Sequence, residues 1–118
     1  MAGVLFRVCR LVVLVASVTV LLVTAHAQEP SKELKALRET SQALWRAGDY
    51  ASALEFAEKA RPLVVREYGP EHEQAGIQYF SLGLISQATG NLALAERHFT
   101  ETVRVREKVY GADSLSVA

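Results

Sequence analysis

Gly-Asp-Tyr-Ala-Ser-Ala at residues 48–53 recurs further along the chain as Gly-Asn-Leu-Ala-Leu-Ala at residues 90–95. The segment Tyr-Gly-Pro-Glu at 68–71 recurs at the same spacing as Tyr-Gly-Ala-Asp at 110–113. The positions that are identical in this overlay are Gly48/Gly90, Ala51/Ala93, Ala53/Ala95, Tyr68/Tyr110 and Gly69/Gly111. Most of the shared residues are glycine or alanine, the types that turns and close helix contacts need. The match therefore indicates a structural repeat.

The fixed 42-residue period is typical of a stacked repeat protein. Each repeat of such a protein buries its apolar face only against its neighbours, and the stack presents an extended surface that binds other molecules. The period therefore predicts a class of function, which is binding, and it leaves the partner open.

The segment 1–27 has the three-part layout of a secretory signal peptide. A basic start containing Arg7 and Arg10 precedes an apolar run over 11–23, and Ala-His-Ala at 25–27 closes the segment with small residues. We expect cleavage after Ala27 and export to the periplasm or the extracellular space. The run is shorter than the roughly 20 residues that span a bilayer, so a membrane association is expected only if the signal is not cleaved and serves as an anchor.

The composition of the remaining chain excludes several classes of site. Cys9 is the single cysteine and lies within the signal, so residues 28–118 can form neither a disulfide nor a thiolate metal site. Removing Arg7 and Arg10 from the 13 basic residues leaves 11 against 13 acidic ones, a net charge near −2. The charges are interspersed, with no basic stripe that would neutralise phosphates, so we expect no nucleic-acid binding.

Apolar residues at spacings of three and four predict four helices and an all-α fold. The predicted helices cover about 31–47, 51–67, 72–89 and 92–109. Their predicted inward residues are Leu34, Leu37, Ser41, Leu44 and Trp45 in the first; Ala53, Leu54, Ala57, Ala60 and Val64 in the second; Ile77, Phe80, Leu84, Ile85 and Ala88 in the third; and Leu92, Ala95, Phe99, Val103 and Tyr110 in the fourth.

Capping and breaking residues agree with these bounds. Ser31 is a predicted N-cap of the first helix, and Gly48 and Gly90 are predicted to close the first and third helices in a left-handed conformation. Pro62 falls inside the second helix, where proline deletes a backbone hydrogen bond. We therefore expect a kink or a brief break near residues 60–61.

These residues resemble the tetratricopeptide repeat, in particular the 42-residue form of kinesin light chains and many bacterial proteins. The residues that carry the resemblance are Ala43, Gly48, Tyr50, Ala53 and Ala57 in the first copy, and Leu82, Gly83, Gly90, Ala95 and Phe99 in the second. The resemblance implies a right-handed α-solenoid of antiparallel helix pairs over residues 28–118. Repeat 1 would cover about 31–69, repeat 2 about 70–111, and 112–118 would begin a third repeat.

The first copy departs from the family pattern. Thr40-Ser41 stands where a leucine and a small residue are expected, and Ala57 replaces an aromatic residue. An irregular repeat suits a terminal position with one face in water. Because about three repeats are normally needed for stability, we expect a longer array or a truncated product. As an alternative function, the chain would be the N-terminal regulatory part of a larger protein with a downstream effector domain, for example a caspase-like one.

No group of residues has the pattern of a catalytic, cofactor or metal site. His72 lies between two glutamates on a turn, and we expect its side chain to form a hydrogen bond with the turn backbone. His98 is interpreted as the donor or acceptor of a surface hydrogen bond. The serines lack a histidine at helical spacing and the glycines of a nucleophile elbow. We expect a non-enzymatic protein with no cofactor.

The resemblance implies that the first helix of each pair lines a concave binding face. The predicted peptide-binding residues are Lys35, Arg38, Gln42, Trp45, Arg46, Phe80, Leu84 and Gln87. Such a basic and aromatic surface favours an acidic or C-terminal peptide, since Arg and Trp are common anchors of interfaces. Two alternatives remain open: Trp45 and Phe80 as core residues, and the basic residues as ordinary solvated charges.

The favoured function is an exported, non-catalytic scaffold that binds a protein or peptide along this face. Self-association is a further expectation, because a final helix pair without a neighbour would leave an apolar face that a second copy could cover.

Overall fold

The structure is a computed structural model that describes residues 29–111. Four α-helices follow one another in this range: α1 (Lys32–Arg46), α2 (Tyr50–Tyr68), α3 (Glu73–Ala88) and α4 (Leu92–Tyr110). The described range contains no strand, so the predicted all-α fold is confirmed. The predicted signal peptide at 1–27 and the predicted start of a third repeat at 112–118 lie outside the described residues.

The turn between the two helices of each pair has the same hydrogen-bonding pattern. Gly48 has a φ of 80°, its N–H donates to Trp45 O, and the N–H of Asp49 donates to Leu44 O. The same bonds recur at Gly90, whose φ is 84°. This pattern is the Schellman motif, which needs a left-handed residue that glycine adopts without strain. The predicted roles of both glycines are confirmed.

The residue after each of these glycines starts the next helix. The carboxylate of Asp49 accepts a hydrogen bond from the N–H of Ser52, and the amide oxygen of Asn91 accepts one from the N–H of Leu94. Ser31 caps α1 in the same way through the N–H of Leu34, as predicted. One glycine and one polar residue thus reverse the chain with few unpaired backbone groups.

Each helix packs against the next one along the chain, which gives a solenoid of stacked helix pairs. One buried cluster joins α1, α2, α3 and α4, and its members are Leu34, Ala60, Leu63, Val64, Ala75 and Val105. A second cluster lies nearer the turns of the helix pairs, and its members are Ala53, Ala57, Leu82 and Ile85. The small side chains at α2 let the helices approach closely.

The predicted inward faces of α3 and α4 are largely wrong. On α3 only Ile85 of the predicted set is buried, whereas the buried residues are Ala75, Gly76, Gln78, Leu82, Gly83, Ile85 and Ser86. On α4 Ala95 is buried, but Leu92, Val103 and Tyr110 are exposed. Because α3 is apolar on more than one side, spacing alone could not tell its core face from its outer face.

The predicted inward sets of α1 and α2 agree better with the structure. Leu34 and Ser41 are buried, Leu37 and Leu44 are half-buried, and only Trp45 is exposed. On α2 four of the predicted residues are buried and Leu54 is half-buried. The amphipathic pattern of α1 has one clear apolar face, and this made the prediction easier.

The break predicted in the second helix is wrong, because α2 continues without interruption through Pro62. The proline ring itself is exposed, while Ala60, Leu63 and Val64 beside it are buried. Burial of this face keeps the helix intact despite the missing N–H. A bend without a break remains a prediction.

Within residues 29–111 the structure contains no helix with the length and apolar character to cross a membrane.

Candidate binding groove

An open groove of about 320 Å³ lies between α1 and α3, with part of α2 as its floor. Its walls and floor are formed by Arg38, Ser41, Gln42, Trp45, Ala57, Ile77, Gln78, Ser81, Leu84 and Ile85. Three large apolar side chains on its walls remain exposed to solvent: Trp45 at 38%, Ile77 at 42% and Leu84 at 38%. The groove is therefore an apolar cleft with a few polar groups, the usual composition of a binding site.

The floor of the groove depends on a small residue in α2. Ala57 lies there, and the hydroxyl of Ser41 reaches across from α1 to donate to Ala53 O at 2.8 Å. In the second helix pair the residues at the same positions are Phe99 and Gly83. A β-carbon at Gly83 would come within 2.5 Å of the Phe99 ring, so the ring fills the space next to this glycine. Repeat 1 lacks this ring, and Ala57 forms part of the groove floor.

Arg38 connects α1 to α3 at one end of the groove. Its Nε donates to Gln78 Oε1 at 3.2 Å and its Nη1 to Gln74 Oε1 at 3.1 Å. Gln78 in turn donates from Nε2 to Ala57 O at 2.9 Å. Burial lowers the pKa of the Arg38 guanidinium, opposed by the charges of Tyr68 and Glu67. Arg38 Nη2 is buried without a hydrogen-bond partner in the described structure.

The two histidines considered at the start have structural contacts. His72 is the N-cap of α3, and its Nδ1 accepts from the N–H of Gln74 at 3.1 Å, so the predicted bond to the turn backbone is confirmed. His98 is 8% exposed, so its predicted surface position is wrong. It lies 3.1 Å from Glu58 Oε1 through Nε2 and stacks on Tyr79.

Comparison with family models gives a match to the tetratricopeptide repeat over residues 33–108, more than half of the chain. The chain belongs to the tetratricopeptide repeat family. Repeats of this family generally mediate protein–protein interactions and typically act as non-catalytic scaffolds. No curated protein and no solved structure matches the chain.

Four of the eight predicted binding residues lie in the groove of this tetratricopeptide pair: Arg38, Gln42, Trp45 and Leu84. Lys35 and Arg46 are exposed on α1 outside the lining. Phe80 points away from the groove, with its ring 5.8 Å from that of Phe99 and 5.6 Å from the Arg106 guanidinium. Gln87 lines a separate depression beside α4.

Trp45 packs against a neighbouring ring on one side and lines the groove on the other, so it is neither a pure core residue nor a free surface residue. Its ring lies 4.9 Å from that of Tyr50, tilted by 56°, and this contact fixes one side of the indole. The 38% of the side chain that remains exposed belongs to a residue that lines the groove. A held aromatic ring with one open side loses little entropy when a partner covers it.

Sequence reasoning missed the α3 side of the groove, notably Ile77 and Ser81. Arg38, Gln42 and Trp45 on α1 recur at spacings of four and three, and Ile77, Ser81 and Leu84 repeat this spacing on α3. The spacing places each set on one face of its helix. It does not single out the α3 set, because other α3 residues, such as Gln78, Leu82 and Ile85, have the same spacing. Ile77 had instead been assigned to the core.

Proposed function

We propose that the chain is an exported scaffold that binds a protein partner through the groove between α1 and α3. The observation that carries this proposal is the convergence of three exposed apolar side chains, Trp45, Ile77 and Leu84, on one cleft. Exposed apolar surface gathered in a concavity supports partner recognition more strongly than scattered residues do.

The chemistry of the lining favours an extended segment that inserts one large apolar side chain. The walls offer the side-chain amide of Gln42, which is exposed, and the hydroxyl of Ser81. Ser81 already donates to Ile77 O, so its oxygen is left to accept from the backbone N–H of a bound segment. Polar groups of this kind fix the direction of a peptide while the apolar anchor supplies affinity.

We further propose that acidic residues flank the anchor in the partner. Lys35 and Arg46 are exposed on the groove helix α1, within reach of long-range attraction although they do not line the cleft. Arg38 is bound to two glutamines and contributes its charge from a half-buried position. These charges would speed the encounter and make it sensitive to salt.

Trp45 is the only tryptophan of the chain, so its fluorescence reports directly on the groove. Partners captured from the exported fraction would be identified, and a synthetic segment of each titrated against the wild-type chain. We expect a change in Trp45 emission on binding. Leu84→Lys should raise the dissociation constant by tenfold or more, the effect expected when an anchor residue is lost.

Val109→Lys is the matched control, since Val109 is 37% exposed and does not line the groove. It should leave binding unchanged. Arg38→Glu is a poor probe, because it also removes the bonds to Gln74 and Gln78. Binding that survives Leu84→Lys, or that leaves the Trp45 emission unaltered, would contradict the proposed groove.

Export is tested separately by sequencing the N-terminus of the protein from cells. A mature chain that begins at Gln28 supports cleavage after Ala27, and retention of residues 1–27 would favour an anchor instead.

The 42-residue period also supports assignment to the kinesin-light-chain type of repeat.

A further inference from the structure

The outward surface of α4, together with Phe80 of α3, carries large apolar side chains that the described residues leave open. We call this surface the tail face. Tyr110 is 52% exposed and Phe80 40%. A depression of about 400 Å³ lies among its residues, with Phe99 in its lining.

The structure shows what covers the equivalent surface one repeat earlier. On α2 that surface is covered by α3, in a junction where Gln78 Nε2 donates to Ala57 O at 2.9 Å. Val64 of α2 and Ala75 of α3 belong to one buried cluster there. The junction also contains the bond from Arg38 to Gln74. The tail face therefore has the form that receives the first helix of another pair.

The first helix of a second copy of this chain is α1, whose outward surface we call the head face. The overlay of the two repeats places Glu33, Ala36 and Thr40 of α1 where α3 has Ala75, Gln78 and Leu82. All three are exposed. The head face thus has a charged residue in place of Ala75 and smaller side chains in place of Gln78 and Leu82.

Residue pairs carried over from the junction are complementary in charge. The overlay places Arg106 of the tail face at the position of Val64, and Glu33 of the head face at the position of Ala75. Arg106 and Glu33 form no ion pair with the described residues. A basic residue on one surface thus meets an acidic residue on the other, which favours this pairing and its register.

The carried-over pairs are also complementary in size and in ring chemistry. The tail face has the large Phe99 at the position of the small Ala57. The head face has the small Ala36 at the position of the large Gln78. Phe80 of the tail face is at the position of Arg38, and Lys32 of the head face is at the position of Gln74. This pairing places the ammonium group of Lys32 beside the Phe80 ring, which already attracts Arg106. In each pair both residues differ from those of the junction, but the two new side chains are still complementary in size or in chemistry.

We propose that the tail face binds the head face of a second copy, so that the repeats of successive chains continue one stack. Such a contact joins two different surfaces, so it does not close after two copies. The association is an open, concentration-dependent chain and not a symmetric dimer.

Sedimentation velocity over a range of concentrations tests this with the chain from residue 28, which retains all four helices. We expect the average mass to rise with concentration. Ala36→Arg should reduce the association constant by roughly tenfold or more, because it places a bulky cation where Phe99 must pack. Ala51→Arg, an exposed alanine of α2, is the control and should have no effect. Circular dichroism confirms that both variants fold.

A charge reversal distinguishes head-to-tail contact from other arrangements. Arg106→Glu and Glu33→Arg should each weaken association by roughly twofold to fivefold or more, the range of an exposed ion pair. An equimolar mixture of the two variants should restore it, since every tail then meets a head of opposite charge.

Three results would overturn the proposal. The first is a monomer at every concentration, the result expected if residues 112–118 of the same chain cover the tail face. The second is a dimer that does not grow further. The third is association that Ala36→Arg leaves intact or that the mixed variants fail to restore.

Discussion

The two helix pairs have the same turns but different residues at the contact between their helices. In repeat 2 the ring of Phe99 fills the space that Gly83 leaves free. In repeat 1 the corresponding residues are Ala57 and Ser41, and Ser41 bonds to a backbone carbonyl instead. The groove between α1 and α3 therefore has Ala57 in its floor and no aromatic ring there. A departure from the family pattern thus coincides with the candidate binding site.

The outer ends of the pairs are also closed by different chemistry. In repeat 1 the carboxylate of Glu67 accepts from the N–H and the hydroxyl of Ser31, at 2.7 and 2.8 Å. In repeat 2 the hydroxyl of Tyr110 donates to the carboxylate of Glu73. Glu73 occupies in repeat 2 the position of Ser31 in repeat 1, whereas its partner Tyr110 is one residue beyond Val109, the counterpart of Glu67. The two repeats should therefore respond to pH in opposite ranges.

The largest expected effect comes from moving the proline between the repeats. Arg104 occupies in α4 the position of Pro62 in α2. Arg104→Pro should lower the free energy of unfolding by about 3 kcal/mol or more, because it removes a backbone hydrogen bond within α4. Pro62→Arg should raise it by a smaller amount, since α2 has already adapted to the ring. Urea denaturation measures both changes, and equal unfolding midpoints for the two variants would contradict this account.

An intermediate effect is expected when repeat 1 is given the contact of repeat 2. Ala57→Phe should cost about 1–3 kcal/mol of stability, since a ring placed like that of Phe99 would clash with the β-carbon of Ser41. Adding Ser41→Gly should recover part of this loss, as Gly83 does for Phe99. The ring would also fill the groove floor, so both variants should lose partner binding. Denaturation combined with the Trp45 titration checks the pair, and a double variant that still binds would argue against this site.

The smallest effect is the dependence of stability on pH. Hydrogen bonds from Ser31, above all from its backbone N–H, lower the pKa of Glu67. The contribution of this contact is therefore present above the unfolded-state pKa of about 4.3 and is lost as pH falls through the lower folded value. Hydrogen exchange at the start of α1 should accelerate in this acid range. Glu67→Gln should remove the acid dependence, and an unchanged profile would count against the contact.

The corresponding contact in repeat 2 should weaken at the opposite end of the pH scale. The hydrogen bond to Glu73 raises the pKa of Tyr110. Its contribution is present below the unfolded-state pKa of about 10 and is lost as pH rises through the folded value. Tyr110→Phe should abolish this loss, measured by exchange at the start of α3. Both side chains are exposed, so these effects are local.

The local features of the fold could be predicted from the sequence. The four helices, the closing glycines Gly48 and Gly90, and the cap at Ser31 depend on residues within about five positions of each other. The repeat period also located the two helix pairs. Half of the predicted groove residues, for example Gln42 and Trp45, line the cleft, because α1 is amphipathic and its outer face can be recognised from spacing.

The features that failed depend on residues that are distant along the chain. The apolar residues of α3 fit two faces, and only its packing against α2 decides that Leu82 is buried while Ile77 lines the groove. His98 is buried because Glu58 and Tyr79 surround it. The sequence by itself determined the helices and their turns, since backbone hydrogen bonding and capping are local. Only the tertiary structure decided which side chains fill the core and which leave a groove, since packing depends on the shape of every neighbour at once.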